Sequence, residues 1–202
     1  MEIPRWFNNA TIDDIGDVFT REIEQGIAGT TIRAGVIKVA NSRPAGIGEL
    51  QERVLRAAAR SSMRTGVPIT THTSPYDIGR DQMRIFDDEG VSPDLVAIGH
   101  AFTADLEYLR DVLEGGHYLS IDHFRPDREE LDSVLDAIAI LCSDGLSDRI
   151  MLSHDNVVEW DGRPYRGSTD FGYTFVSTEV RTRLSKIGVS QKDIEKMLVT
   201  AP

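Results

Sequence analysis

Five apolar stretches of the chain carry, at or near their C-terminal ends, groups able to do chemistry. In order these are Lys38 in AGVIKVA (34–40), His72 in VPITTHT (67–73) and His100 closing LVAIGH (95–100). Asp122 with His123 ends HYLSID (117–122), and His154 with Asp155 ends IMLSHD (150–155). One histidine after an apolar run is ordinarily a hydrogen-bonded structural residue. Several histidines, a lysine and an aspartate in equivalent places argue for convergence. Imidazole nitrogens and a carboxylate are donors that suit zinc and similar divalent ions. An ammonium would repel a cation, so Lys38 needs its own explanation. The plain one is a strand-end lysine that snorkels its charge to water. The chemical one is carboxylation, in which the neutral amine adds carbon dioxide to give an anionic carbamate with two oxygens able to bridge metals. The apolar neighbours Ile37 and Val39 would help by desolvating the amine and lowering its pKa. The same desolvation would serve a Schiff-base lyase acting through Lys38. His72, His100 and Asp155 in ligand positions favour the metal over the imine.

Such convergence requires strands that run parallel. Valine- and isoleucine-rich runs bounded by glycine and polar residues read as buried strands. Amphipathic segments separate them: 11–26 opening on Thr11, 48–65, 81–90, 104–116, 128–145 and 190–199 opening on Ser190. Thr11 and Ser190 are candidate helix caps, and Gly115-Gly116 is a helix stop. Alternating strands and helices predict parallel strands joined by crossovers. In such folds the C-terminal strand ends form the reactive face. The segment EWDGRPYRGSTDFG (159–172) reads as a long irregular loop of the kind that is usually functional.

The chain has 202 residues, 40% hydrophobic and 27% charged, with a formal net charge of -11. That size supports one sizeable core, and the acidity argues against nucleic-acid or anionic-membrane binding. A single cysteine, Cys142, excludes an intramolecular disulfide and a thiolate cluster, and reads as a small core residue. No run approaches a membrane span in length and the N-terminus lacks a signal-peptide pattern, so the expected location is cytoplasmic.

The segments TTIRAGVIKVA, VPITTHT, VAIGH and IMLSHD, with the tail TEVRTRLSKIGVSQKDIEKMLVTAP, resemble the phosphotriesterase family of the amidohydrolase superfamily, lactonase-like members included. The similarity runs from about Ile3 to the last residue. It implies a (β/α)8 barrel with a two-metal centre bridged by a carboxylated lysine and a hydroxide. By resemblance Lys38 is the bridge, His72 and His100 hold the more exposed metal, and Asp155 binds the buried one and takes up a proton. The implied cofactor is a divalent metal, zinc above all, up to two ions. The implied reaction is attack of a metal-bound hydroxide on a lactone, carboxylic ester or phosphotriester.

Two departures accompany the resemblance. The family carries a His-x-His pair on its first strand, and no histidine precedes His72 here. The N-terminus, MEIPRWFNNATIDD, resembles the family just after its third strand, and a full barrel takes about 250 residues. The expected fold is therefore a partial TIM (β/α)8 barrel of about five parallel βα units, a single incomplete domain over 1–202. Exposed strand edges and a half-open interior would then call for a homo-oligomer or a complementing chain, or mark an inactive fragment. After His100 the run Ala101-Phe102-Thr103-Ala104-Asp105 leaves the family's acidic proton carrier either missing or displaced to Asp105, which taken alone reads as a first-turn helix residue. His123 reads as a substrate contact or proton relay, or else a solvated loop residue. His154 should face away from Asp155 and pack structurally, and His117 should lie on the surface. Trp160 and Tyr165, with Phe171 and Tyr173, would line a substrate pocket or pin their own loop. Arg163 and Arg166 would meet an anionic ester or remain solvated.

Overall fold

The apolar runs form five parallel strands in one sheet, ordered β1 Ile37–Asn41, β2 Ile69–Thr73, β3 Val96–Ile98, β4 Tyr118–Ile121 and β5 Ile150–Leu152. Helices alternate with them: α1 Ile12–Glu24, α2 Glu49–Thr65, α3 Gly79–Glu89, α4 Leu106–Glu114 and α5 Leu131–Ser143. A π-helical turn Val176–Val180 then leads into α6 Arg181–Lys186, and α7 Gln191–Glu195 continues into a second such turn, Lys196–Thr200. The protein is thus an α/β chain forming part of a (β/α)8 barrel. This computed structural model describes residues 3–42, 46–156, 159–160, 163–164 and 173–201, with 159–160 and 163–164 as backbone only. The chain divides into two compact units, Met1–Gly99 with Glu114–Tyr118, and His100–Leu113 with Leu119–Pro202.

In the first unit the helices start and stop where side chains and glycines satisfy their orphan backbone groups. Thr11 caps α1 reciprocally: its hydroxyl accepts from the Asp14 N–H at 3.1 Å and the Asp14 carboxylate accepts from the Thr11 N–H at 2.9 Å. Gly66 ends α2 at φ 73° and Gly90 ends α3 at φ 82°, a left-handed geometry that side chains resist. Phe7, Ala10, Ile15 and Ala57 form a core between the N-terminal turn, α1 and α2. Outside it, Glu89 accepts from Arg56 at 3.0 Å and Arg60 at 2.9 Å. Burial raises the Glu89 pKa, but the two guanidiniums outweigh it and hold the carboxyl below its ordinary range. His117, expected on the surface, is buried at 1% exposure with Nε2 3.7 Å from Asp87. Its place just before β4 sinks it into the layer that the strand enters.

Strand alternation sorts the first unit's polar groups. Ile37, Val39 and Asn41 are buried, as are Ile69, Thr71 and Thr73, while Lys38 is exposed and His72 half-buried. The buried threonines replace ladder bonds at the tip of β3. Thr71 Oγ1 accepts from the Gly99 N–H at 3.1 Å, and Thr73 Oγ1 donates to the Gly99 carbonyl at 2.7 Å. A Cβ at residue 99 would stand 2.2 Å from the Thr71 carbonyl oxygen, so only glycine fits.

The second unit buries Leu119, Ile121 and Ile150 of its strands, Val134, Ile138 and Leu141 of α5, and Val180, Leu184, Ile194 and Met197 of the C-terminal segments. β4 and β5 pair in register, Leu119 opposite Ile150 and Ile121 opposite Leu152. Ser190 caps α7, accepting from the Asp193 N–H at 3.1 Å. Cys142 is half-buried, and burial pushes its thiol up to about 11, as befits an inert packing residue. Glu159–Trp160 and Arg163–Pro164 pair as a short antiparallel ribbon inside the stretch expected to be irregular. Among the described residues no helix is long and apolar enough to cross a membrane. The Gly99 contact yields a direct expectation: Gly99→Ala should lower the unfolding free energy by about 2 kcal/mol or more in urea titration, because the clash is with backbone.

Candidate metal centre

Three of the chemically able strand ends leave ordinary backbone space together. His100 sits at φ 57°, His123 at φ 64° and Asp155 at φ 44°. Non-glycine residues rarely adopt this left-handed conformation, and in folded proteins such strain gathers at functional sites. Backbone bonds hold the turns. The His123 N–H donates to the His154 carbonyl at 3.1 Å, and the Ala101 N–H to the Ser120 carbonyl at 3.1 Å.

The turns bring His100, Asp122, His123 and Asp155 into one group, with one donor atom of each within 4.8 Å of all the others. Asp122 is its buried member, 6% exposed. One of its oxygens lies 2.7 Å from His100 Nδ1, and the other accepts from the His100 N–H at 3.1 Å. A carboxylate on Nδ1 fixes that nitrogen as the proton-bearing one and puts the imidazole lone pair on Nε2. The His123 ring stacks on that of His100 at 4.7 Å between centroids, inclined by 21°. Its Nε2 is 3.5 Å from Asp122 and 3.6 Å from Asp155. Burial, aided by nearby His100, pushes the His123 pKa below its ordinary value against the pull of Asp122 and Asp155. His123 is therefore a neutral imidazole at pH 7, the form that binds cations and accepts protons. Asp155 remains 49% exposed and lies 3.9 Å from His100 Nδ1.

Two imidazoles and two carboxylates at this spacing fit a divalent cation. The buried Asp122 behind His100 is the orienting carboxylate that such a ligand uses. Sequence reasoning named Asp122 beside His123 without giving it a role; the signal was a carboxylate adjoining a strand-end histidine. Lys38 and His72 belong to the first unit. The β1–β2 register sets Lys38 opposite Thr70 and Ala40 opposite His72, so both side chains share one face of that pair. Lys38 Nζ donates to the Thr71 carbonyl at 2.7 Å. Because Ile37 and Val39 point to the opposite, buried face, they do not desolvate Lys38 as expected.

The remaining candidates sort as follows. Asp105 caps α4, its Oδ1 accepting from the Tyr108 N–H at 3.1 Å, which is the structural reading of that displaced acid. His154 Nε2 accepts from the Val176 N–H at 2.9 Å, so the ring is neutral and pins the turn before α6. Tyr165, Arg166 and Phe171 lie outside the described residues, as do the side chains of Trp160 and Arg163. Tyr173 is exposed.

A parallel α/β sheet with a histidine–aspartate group at its C-terminal strand ends defines a barrel protein equipped for a divalent metal. The sequence model of the Phosphotriesterase family matches residues 7–202, and the chain belongs to that family. The chain is 37% identical over 193 residues to a phosphotriesterase homology protein of Mycobacterium tuberculosis, covering 92% of itself and 59% of that relative. It is 36% identical over 165 residues to an aryldialkylphosphatase of Saccharolobus solfataricus, covering 79% of itself and 52% of the relative. Among solved structures it is similar to a PTE-like lactonase mutant of Deinococcus radiodurans, with a TM-score of 0.86 and 32% identity over 95% of this chain and 63% of that one. The chain thus spans little more than half the length of the curated relatives it matches. Family members are hydrolases that use divalent metals.

Burial also lowers the His154 pKa. A histidine whose folded pKa lies below its unfolded value binds its proton preferentially in the unfolded chain. Stability should then be full above pH about 6.5 and fall as pH drops from there through the folded values of His123 and His154. Urea titrations in chelator between pH 7.5 and 5 should show this fall. His154→Gln, which keeps an acceptor for Val176 without titrating, should make it shallower.

Proposed function

We propose that the chain carries the catalytic end of a metal-dependent hydrolase acting on lactones, carboxylic esters or phosphotriesters. The observation that carries this reading is the convergence of His100, Asp122, His123 and Asp155 within 4.8 Å. The relatives' descriptions, an aryldialkylphosphatase and a lactonase, support the substrate range. Zinc, up to two ions, is the proposed cofactor; the proposed ligands are Lys38 in carboxylated form and His72 in the first unit, and His100 and Asp155 in the second. A bound divalent cation supplies polarisation of the scissile carbonyl or phosphoryl oxygen and a nucleophile at neutral pH.

The chain's own residues account for the rest. Asp122 holds the His100 ring so that Nε2 carries the lone pair. Asp155, partly exposed, takes the proton released as the nucleophile forms. His123, neutral and 3.6 Å from Asp155, passes that proton toward solvent and lies where substrate would touch it. Within the first unit a cavity of about 700 Å³ beside Lys38 is walled by Phe7, Phe19, Leu50, Val54 and Leu55. Its apolar walls suit the organic part of an ester; Trp160 and Tyr165 are separately proposed as substrate contacts. A cytoplasmic setting agrees with the single cysteine. A second copy or a complementing chain is the proposed cover for the end strand β1.

A second reading is a chain that holds no catalytic metal, favoured by the Lys38 amine, which donates to the Thr71 carbonyl at 2.7 Å. Metal analysis after zinc loading, with hydrolysis assays on a lactone, an aryl carboxylic ester and a dialkyl aryl phosphate, separates the two. The enzyme reading expects bound zinc and turnover of at least one substrate, with Asp155→Asn lowering kcat by about 10²–10⁴-fold. Neither zinc nor turnover establishes the second reading.

A further inference from the structure

Behind the strand ends of the first unit lies a pair of buried amides. Gln82 on α3 is wholly buried, and Asn41, the last residue of β1, is 1% exposed. Gln82 Nε2 donates to Asn41 Oδ1 at 2.7 Å and to the His72 backbone carbonyl at 3.0 Å. Two acceptors face that atom, so only an amide nitrogen can stand there, and this assigns the orientation of both side chains. The Asn41 carbonyl in turn accepts from the Ser74 N–H at 3.0 Å. Asn41 therefore grips the chain on both sides of the His72–Thr73 step, once through its backbone and once through Gln82.

Stability alone does not explain the pair. Among the described residues Gln82 Oε1 and Asn41 Nδ2 are buried without a protein partner, and a half-satisfied pair costs more than apolar residues of the same shape. The same strand face carries buried Ile37, Val39 and Ile69, and the hydroxyls of its Thr71 and Thr73 bond Gly99. What the amides supply and leucine or methionine would not is a fixed position for the His72 peptide against β1, the strand that bears Lys38.

We infer that Gln82 and Asn41 are positioning residues that set the presentation of His72 and Lys38 at the strand ends; this rests on the metal reading above. The test uses Gln82→Met, which keeps shape and removes the donor, and the double variant Asn41→Leu/Gln82→Met, which removes both polar partners and serves if the single variant does not fold. Three readouts apply: the thermal midpoint, the three-bond couplings of the His72 χ1 torsion in metal-free protein, and Co2+ affinity by absorbance. In Gln82→Met the couplings should pass from one rotamer to an average, and Co2+ affinity should fall by about 10-fold or more. In the double variant stability should recover while both losses persist. Unchanged His72 couplings in a folded variant, or Co2+ affinity that returns together with stability, would overturn the inference. Should the parent chain take up no Co2+, the metal reading falls by itself, and the couplings alone judge the pair.

Discussion

The site depends on one charge-assisted hydrogen bond, that between Asp122 and His100. A buried carboxylate is tolerable only when several donors surround it, and Asp122 draws two from a single residue, the ring and the backbone N–H of His100. The bond therefore ties the turn after β3 to the end of β4 and chooses the tautomer in one step. The left-handed backbone at residue 100 follows from this demand, since the N–H and Nδ1 must face the same carboxylate. His123 then finds its place by stacking on a ring that is already fixed.

The same economy recurs around it. Strain at residues 100, 123 and 155 is concentrated where chemistry is proposed, while the helices of both units are conventionally built, capped by Thr11 and Ser190 and closed by Gly66 and Gly90. Rigid elements hold turns that would not otherwise persist. The ionic links on the surface, such as Arg110 to Asp144 and Arg183 to Glu179, are solvated and contribute little by comparison.

Much of this was legible before any coordinates. All five strands fall on the apolar runs, β1 passing its run by one residue to Asn41, because parallel strands covered on both faces need continuous apolar sequence. The strand-end position of His72, His100 and Asp155 was readable for the same reason. Four things were not. Lys38 looked desolvated because its neighbours are apolar, yet alternation sends those neighbours to the other face, which a linear reading weighs less than composition. His117 looked exposed because it precedes a strand, but depth in a barrel layer is a tertiary property. Asp122 stood in plain view, and its role depends on the direction of an imidazole that only folding determines. The amide pair Asn41–Gln82 had no signal at all, since its members lie on different elements.

Thr71 and Thr73 carry one further consequence. Their hydroxyls, not a neighbouring strand, satisfy both peptide groups of Gly99. The sheet therefore ends there in side-chain chemistry, and its boundary is written in residue type rather than in strand length. A valine at either place would match threonine in outline and leave a peptide group stranded inside the protein. Drift at these two sites is thereby confined to residues that keep a hydroxyl, although nothing about their shape would suggest it.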